Sequence, residues 1–166
     1  MRRNSTTIFF LSIIILVALD LITKWIAEHY LPLGKTFFPQ IYGFVGLKFM
    51  TNQGLILGLG KELHSTIWYG VAMNAFALTG MILGYVYYCK EGIRNSYIAF
   101  VFAFGIAGEL GNIYDRIFLG YVRDFITWFG PGAFNLADLW GWVALVLFAF
   151  LLIRSKFDFS MIGKTL

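Results

Sequence analysis

Four apolar runs of membrane-crossing length dominate this 166-residue chain. They cover Thr7 to about Ala27, Thr66 to Tyr88, Ser96 to about Ile113, and Phe134 to Ile153. About 20 apolar residues in a helix cross the ~30 Å hydrocarbon core of a bilayer. Backbone amides cannot stay unpaired in lipid, so each run is predicted to be a helix. Composition agrees: 59% of residues are hydrophobic and 13% charged, with a mean hydropathy of +0.74. That is too apolar for a soluble domain of this length. The expected fold is an all-α membrane protein with a single integral membrane domain over 1–166. It has helices at about 7–27, 66–88, 96–113 and 134–153 and a small β-containing extracytoplasmic loop region at 28–65. The start, Met1-Arg2-Arg3, resembles a signal peptide. The apolar run behind it is too long, lacks an Ala-x-Ala exit and is interrupted by Asp20 and Lys24, so an uncleaved first helix is expected.

The basic residues set an expected orientation. Arg2 and Arg3 flank the first run, Lys90 and Arg94 sit between the second and third, and Arg154 and Lys156 follow the fourth. With both termini cytoplasmic, all three groups lie inside, against Lys35, Lys48 and Lys61 in the outer loop. These residues form no dense basic run, so they read as membrane anchors and nucleic acid is not an expected partner. Cys89 is the single cysteine; it permits no internal disulfide and no metal-site spacing, so no metal or cofactor is expected. Tyr42 to Thr51 partly alternates, with Leu47 and Phe49 on one side and Lys48 on the other, and reads as a short strand or hairpin.

Five of the nine acidic residues lie in or against the apolar segments: Asp20, Glu109, Asp115, Asp124 and Asp138. A carboxylate at the centre of a membrane helix costs roughly 2.5–3.5 kcal/mol even on the lower scales, so a cluster of them argues for a site. Consecutive helices alternate direction. The end of the third helix (Asn112, Asp115, Arg116), the start of the fourth (Asn135, Asp138) and the late part of the first (Asp20) therefore share one membrane face. At 1.5 Å per residue Asp20 sits roughly 10 Å below its helix end, which makes the cluster shallow. Glu109, Asn112, Asp115 and Arg116 fall on one helical stripe, and Asp20 and Lys24 are one turn apart. Bland readings stand beside these. Asp20 with Lys24 fits a plain interfacial pair. Asp115 with Arg116 fits an orienting salt bridge. Asn112 and Asn135 fit interhelical hydrogen bonding, as does Asn74, which has no polar neighbour in sequence. Trp128, Trp140 and Trp142 fit interfacial packing.

Asp124 and Asp138 stand 14 positions apart across Gly130-Pro131-Gly132, a strong turn signal. A loop folding back there brings two carboxylates together. Such a pair shares a proton and can hydrolyse an amide, one carboxylate activating water and the other protonating the carbonyl oxygen. His29 and His64, in the outer loop, have no nucleophile beside them. Paired carboxylates also bind cations or support structure, so spacing alone leaves those readings open.

In order along the chain, Asp20-Leu-Ile-Thr-Lys24-Trp25, Asn52-Gln53-Gly54, Gly108-Glu-Leu-Gly111-Asn112-Ile-Tyr-Asp115-Arg116, Val122-Arg123-Asp124-Phe125 and Phe134-Asn135-Leu136-Ala137-Asp138 resemble the boxes of the lipoprotein signal peptidases, or signal peptidase II. These are four-helix bacterial membrane aspartic proteases. The resemblance implies that Asp124 and Asp138 are catalytic. It implies that Asp20, Asn52, Gly54, Asn112, Asp115, Arg116 and Asn135 bind substrate or orient the dyad. It further implies an enzyme of the bacterial cytoplasmic membrane, probed by its substrates from the outer face. Those substrates are prolipoproteins carrying diacylglycerol on a cysteine, cut just before that cysteine. Membrane lipid is the other expected partner, and a monomer the expected state. Five features depart from the family pattern: Leu55-Ile56-Leu57, Glu109, Arg123, Leu139-Trp140 and a shorter stretch between Asp124 and Asp138. Two alternatives remain at this point: a small ion- or proton-coupled transporter, and a non-catalytic peptidase-like assembly factor.

Overall fold

The computed structural model describes residues 2–41, 45–54, 66–90, 96–128 and 132–162. Four helices carry the apolar runs: α1 (Arg2–Tyr30), α2 (Thr66–Lys90), α3 (Ser96–Phe118) and α4 (Leu136–Ile162). Each contains a stretch long and apolar enough to cross a membrane. Four strands complete the fold: β1 (Thr36–Ile41), β2 (Val45–Asn52), β3 (Val122–Trp128) and β4 (Ala133–Phe134), an antiparallel sheet in the order β1-β2-β3-β4.

The third helix is central and packs against α1, α2 and α4. Half of its membrane-crossing window, 50%, is buried, against 6% for α2. Small residues let it sit that close. A Cβ at Gly108 would lie 2.6 Å from the Ala137 carbonyl oxygen, and one at Gly111 would collide with the Asp20 carboxylate. Phe9, Ala99, Ala103 and Ile106 form the helical core, with Met81 and Tyr85 of α2 against it. A second cluster, Ala27, Phe49 and Phe125, seats the sheet on the end of α1.

Strand alternation decides what each side chain faces. In β3, Phe125 packs on α1 while Asp124 turns to the other side of the sheet. The alternation expected around Leu47 and Phe49 is present in β2, where both join the apolar cluster; Tyr42, Gly43 and Phe44 lie outside the described residues.

The expected boundaries shift in several places; α1 begins already at Arg2, α2 ends at Lys90 and α4 runs on to Ile162. The first helix runs to Tyr30, so Glu28 and His29 belong to its last turns and not to the outer loop. Pro32, which disfavours helix in the residue before it, follows directly. The third helix continues past Ile113 to Phe118, because Asn112, Asp115 and Arg116 find partners inside the protein. It ends at a left-handed Gly120 (φ 77°), which turns the chain into β3. The fourth helix starts at Leu136, two residues later than expected, since Phe134 pairs with Ile126 in the sheet. The fold-back between Asp124 and Asp138 is thus a β-hairpin, with Asp124 inside a strand; Gly130 and Pro131 lie outside the described residues.

Candidate active site

Asn135 caps α4 in a reciprocal arrangement. Its Oδ1 accepts the Asp138 N–H at 3.0 Å, and Asp138 Oδ2 accepts the Asn135 N–H at 3.2 Å. This satisfies amides left free at a helix start and fixes Asp138 at the positive end of the helix dipole. The other Asp138 oxygen accepts a hydrogen bond from Asn112 Nδ2 at 2.8 Å.

The same Asn135 reaches the strand. Its Nδ2 donates to Asp124 Oδ1 at 2.7 Å and to Asn112 Oδ1 at 3.1 Å. The second Asp124 oxygen accepts from Asn52 Nδ2 at 3.1 Å. Asn52 pairs with Val122 in the sheet, which places it diagonally across from Asp124 on the same face. Its Oδ1 is held by the Gly54 N–H at 3.0 Å, so the amide group can only turn its NH2 toward Asp124. That is the physical content of the Asn52-Gln53-Gly54 box.

Asp124 and Asp138 therefore share Asn135, and both line one cleft of about 510 Å³ with Asn52, Asn112 and Arg116. Their surroundings differ. Asp124 is 3% exposed, whereas Asp138 is half-buried. Burial first, and then the neighbouring charge of Asp138, push the Asp124 carboxyl up to about 7.

Behind this pair lies a buried ionic network. Asp20, Lys24 and Asp115 are each 0% exposed. Lys24 Nζ lies 2.8 Å from Asp20 and 3.3 Å from Asp115, and it donates to Asn112 Oδ1 at 3.1 Å and the Gly111 carbonyl at 3.2 Å. The free Asp20 oxygen accepts the Ala137 N–H at 2.8 Å, an amide of the first turn of α4. Arg123, on the opposite side of β3 from Asp124, pairs with Asp115 at 2.7 Å and with Glu28 at 3.1 Å. Tyr121 OH donates to Glu28 at 2.9 Å. The residue before each candidate carboxylate, Arg123 and Ala137, is thus tied to α1 or α3.

Several readings need correcting. Asp20 and Lys24 are not an interfacial pair: both are fully buried. Asp115 does not pair with Arg116. Adjacent helical residues point about 100° apart, and Asp115 faces Lys24 and Arg123 while Arg116 NH1 donates to Asn74 Oδ1 at 2.9 Å. The stripe divides accordingly: Glu109, Asn112 and Arg116 line the cleft and Asp115 does not. Asn74 is more than isolated glue, because it lies in the cleft and donates to Glu109. Trp142 also lines the cleft, while Trp140 Nε1 donates to the Leu16 carbonyl at 3.3 Å. Lys24, Glu28 and Asn74 were the polar residues that sequence reasoning undervalued. The unusual Arg123 supplied a signal, since a buried cation needs a partner.

The chain matches the signal peptidase (SPase) II family over residues 12–154. The lipoprotein signal peptidase of Francisella tularensis subsp. mediasiatica (strain FSC147) is 31% identical over 134 residues, 78% of this chain and 81% of its own length. That of Caldanaerobacter subterraneus subsp. tengcongensis is 33% identical over 139 residues, 82% of this chain and 90% of its own. A bacterial membrane enzyme solved by the in meso method at 2.3 Å resolution matches with a TM-score of 0.75 and 25% identity, covering 89% of this chain and 88% of the other. Four apolar helices and these matches define a class, the multi-pass peptidases of bacterial inner membranes. The chain belongs to the signal peptidase II family. The transporter alternative drawn from the acidic cluster gives way to a peptidase.

Proposed function

We propose that this prolipoprotein signal peptidase is an aspartic endopeptidase working through Asp124 and Asp138. The observation that carries this reading is the pair itself. Two carboxylates in unequal surroundings, bridged by one asparagine, line the same cleft. Unequal surroundings separate an acid from a base. Asp138, facing two N–H donors and the helix dipole, acts as the base. It takes a proton from water as the oxygen attacks the peptide carbonyl carbon. Asp124 keeps its proton and gives it to the carbonyl oxygen. As the tetrahedral intermediate collapses, the C–N bond breaks, Asp138 returns its proton to the leaving nitrogen and Asp124 recovers its own. Asn52, Asn112 and Asn135 fix the carboxylates. Asp20 sets the start of α4, Asp115 anchors β3 through Arg123, Gly54 locks Asn52, and Arg116 contacts substrate in the cleft.

Residues 1–166 act as one membrane unit, as a monomer, with both termini cytoplasmic and the cleft at the outer face. A lipid anchor on the substrate then holds the scissile bond at the depth of the dyad, and the cut falls just before the lipidated cysteine. Purified protein in nanodiscs is expected to cleave a diacylglyceryl lipobox peptide and to leave the unlipidated peptide uncut. Equal rates on the two would remove the lipid from the mechanism. No cleavage of either would leave the non-catalytic assembly factor as the reading.

Orientation has its own test. In a Cys89→Ser background, Thr36→Cys is expected to react with an impermeant thiol reagent in intact cells, and Gly92→Cys only after lysis. The reverse pattern overturns the assignment of sides.

A further inference from the structure

A second polar set lies in the cleft beside the dyad: Asn74 of α2 with Glu109 and Arg116 of α3. Arg116 NH1 donates to Asn74 Oδ1 at 2.9 Å, and Asn74 Nδ2 donates to Glu109 Oε2. A guanidinium offers only donors, so Asn74 must turn its oxygen to Arg116 and has its NH2 left for the carboxylate. The amide links a donor to an acceptor that cannot be exchanged. Glu109 and Arg116 are seven residues apart, two turns on one face of α3, which lets a single α2 residue reach both.

The second helix also provides a seat for the Arg116 stem. Gly70 lies one turn before Asn74. A Cβ there would stand 2.5 Å from Arg116 Nε, 3.1 Å from its Cδ and 3.3 Å from its Cζ. The buried Nε has no hydrogen-bond partner among the described residues. Asn74 is thus the side chain that visibly anchors the guanidinium. We propose that Asn74 and Glu109 are positioning residues for the cleavage reaction: a two-residue relay that holds the Arg116 guanidinium in the cleft next to the dyad. This rests on the peptidase mechanism proposed above. It assigns a use to Glu109, the carboxylate by which this chain departs from its family's pattern, and makes Asn74 part of the site.

The test compares kcat/KM on the diacylglyceryl lipobox peptide, together with Tm, for wild type, Asn74→Leu, Glu109→Met, Glu109→Gln and the double variant Asn74→Leu/Glu109→Met. Leu keeps the branching and heavy-atom count of Asn and Met comes close to the length of Glu, so the change in packing is kept small. Asn74→Leu and Glu109→Met are each expected to lower kcat/KM by about tenfold. The double variant should fall no more than about twofold further, because the relay is already cut. Glu109→Gln keeps an acceptor oxygen and should recover activity to within about threefold of wild type. Equal activity in Glu109→Gln and Glu109→Met would show that only volume matters and would overturn the relay. So would losses that multiply in the double variant. If wild type fails to cleave the peptide, the proposed function falls by itself. The relay is then decided on Tm, where the two substitutions should be non-additive and additive shifts refute it.

Discussion

Asp124→Asn and Asp138→Asn are each expected to lower cleavage of a lipidated substrate by about 10²–10⁴-fold while leaving a folded, membrane-inserted protein. Each substitution removes an acid or base that no other group in the cleft replaces. Asn112, Asn52 and Asn135 are amides and do not titrate, the cleft carboxylate Glu109 is engaged by Asn74, and Asp115 is occupied by Lys24 and Arg123 on the far side of α3 and β3. The double variant should be little worse than either single one, because one carboxylate without the other does not complete the proton circuit. Asp115→Asn serves as the contrast. It weakens an anchor and should lower Tm before it lowers kcat. Near wild-type turnover in well-folded Asp124→Asn or Asp138→Asn would end the aspartic reading.

The raised Asp124 pKa adds a pH signature. With its carboxyl pushed up to about 7 by burial and by Asp138, Asp124 carries the proton to be donated only below that value. Cleavage is therefore expected to decline as pH rises through about 7, and a rate unchanged from pH ~6 to ~9 would contradict this assignment. Stability follows the same direction. A folded-state pKa above the ordinary 3.8 means that the folded protein holds this proton more tightly than the unfolded chain. The stabilising contribution is complete below the unfolded value and is lost as pH rises through the folded one. Asparagine stays neutral throughout. Relative to wild type, Asp124→Asn should therefore gain Tm as pH is raised from the ordinary 3.8 towards about 7, and the difference should level off above that.

The helices were legible because lipid makes apolar runs costly to use otherwise. The candidate carboxylates were legible for the converse reason: acids beside such runs are expensive to keep. What stayed hidden depended on distance along the chain. Arg123 and Glu28 are 95 positions apart, Lys24 and Asn112 are 88, and Asn74 is 35 from Glu109 and 42 from Arg116. No local spacing rule connects them. The strand β3 was obscured differently. Val-Arg-Asp-Phe-Ile-Thr-Trp shows no clean apolar alternation, since both faces are buried and Arg123, Asp124 and Thr127 are polar on the inside. The turn chemistry at Gly130-Pro131-Gly132 was readable, and the strand pairing that holds Asp124 was not. Asn135 shows the gain from structure most directly. Taken alone it fits a helix cap or interhelical glue, and it is in fact the atom-by-atom link between the two carboxylates.

Lys24 is the residue whose loss should be felt most in the fold. Its ammonium is fully buried, ion-paired to Asp20 and Asp115 and hydrogen-bonded to Asn112 and the Gly111 carbonyl. Lys24→Met keeps most of the volume and removes the charge. Asp20 then faces a carboxylate neighbour with no cation in contact, while Asp115 retains only Arg123. Breaking one side of a buried pair in this way costs about 3–5 kcal/mol, a large part of what holds a small protein together. The damage also reaches the chemistry. Asp20 holds the Ala137 amide at the start of α4, and Asn112, steadied by Lys24, holds Asp138. Lys24→Met is expected to give low yield in the membrane, a strongly reduced Tm and little cleavage. Lys24→Met/Asp20→Asn removes the orphaned charge and should recover part of the Tm, since replacing both members of a buried pair is far cheaper than removing one. Purified Lys24→Met with wild-type Tm and turnover would show that the buried network neither supports the fold nor sets the dyad.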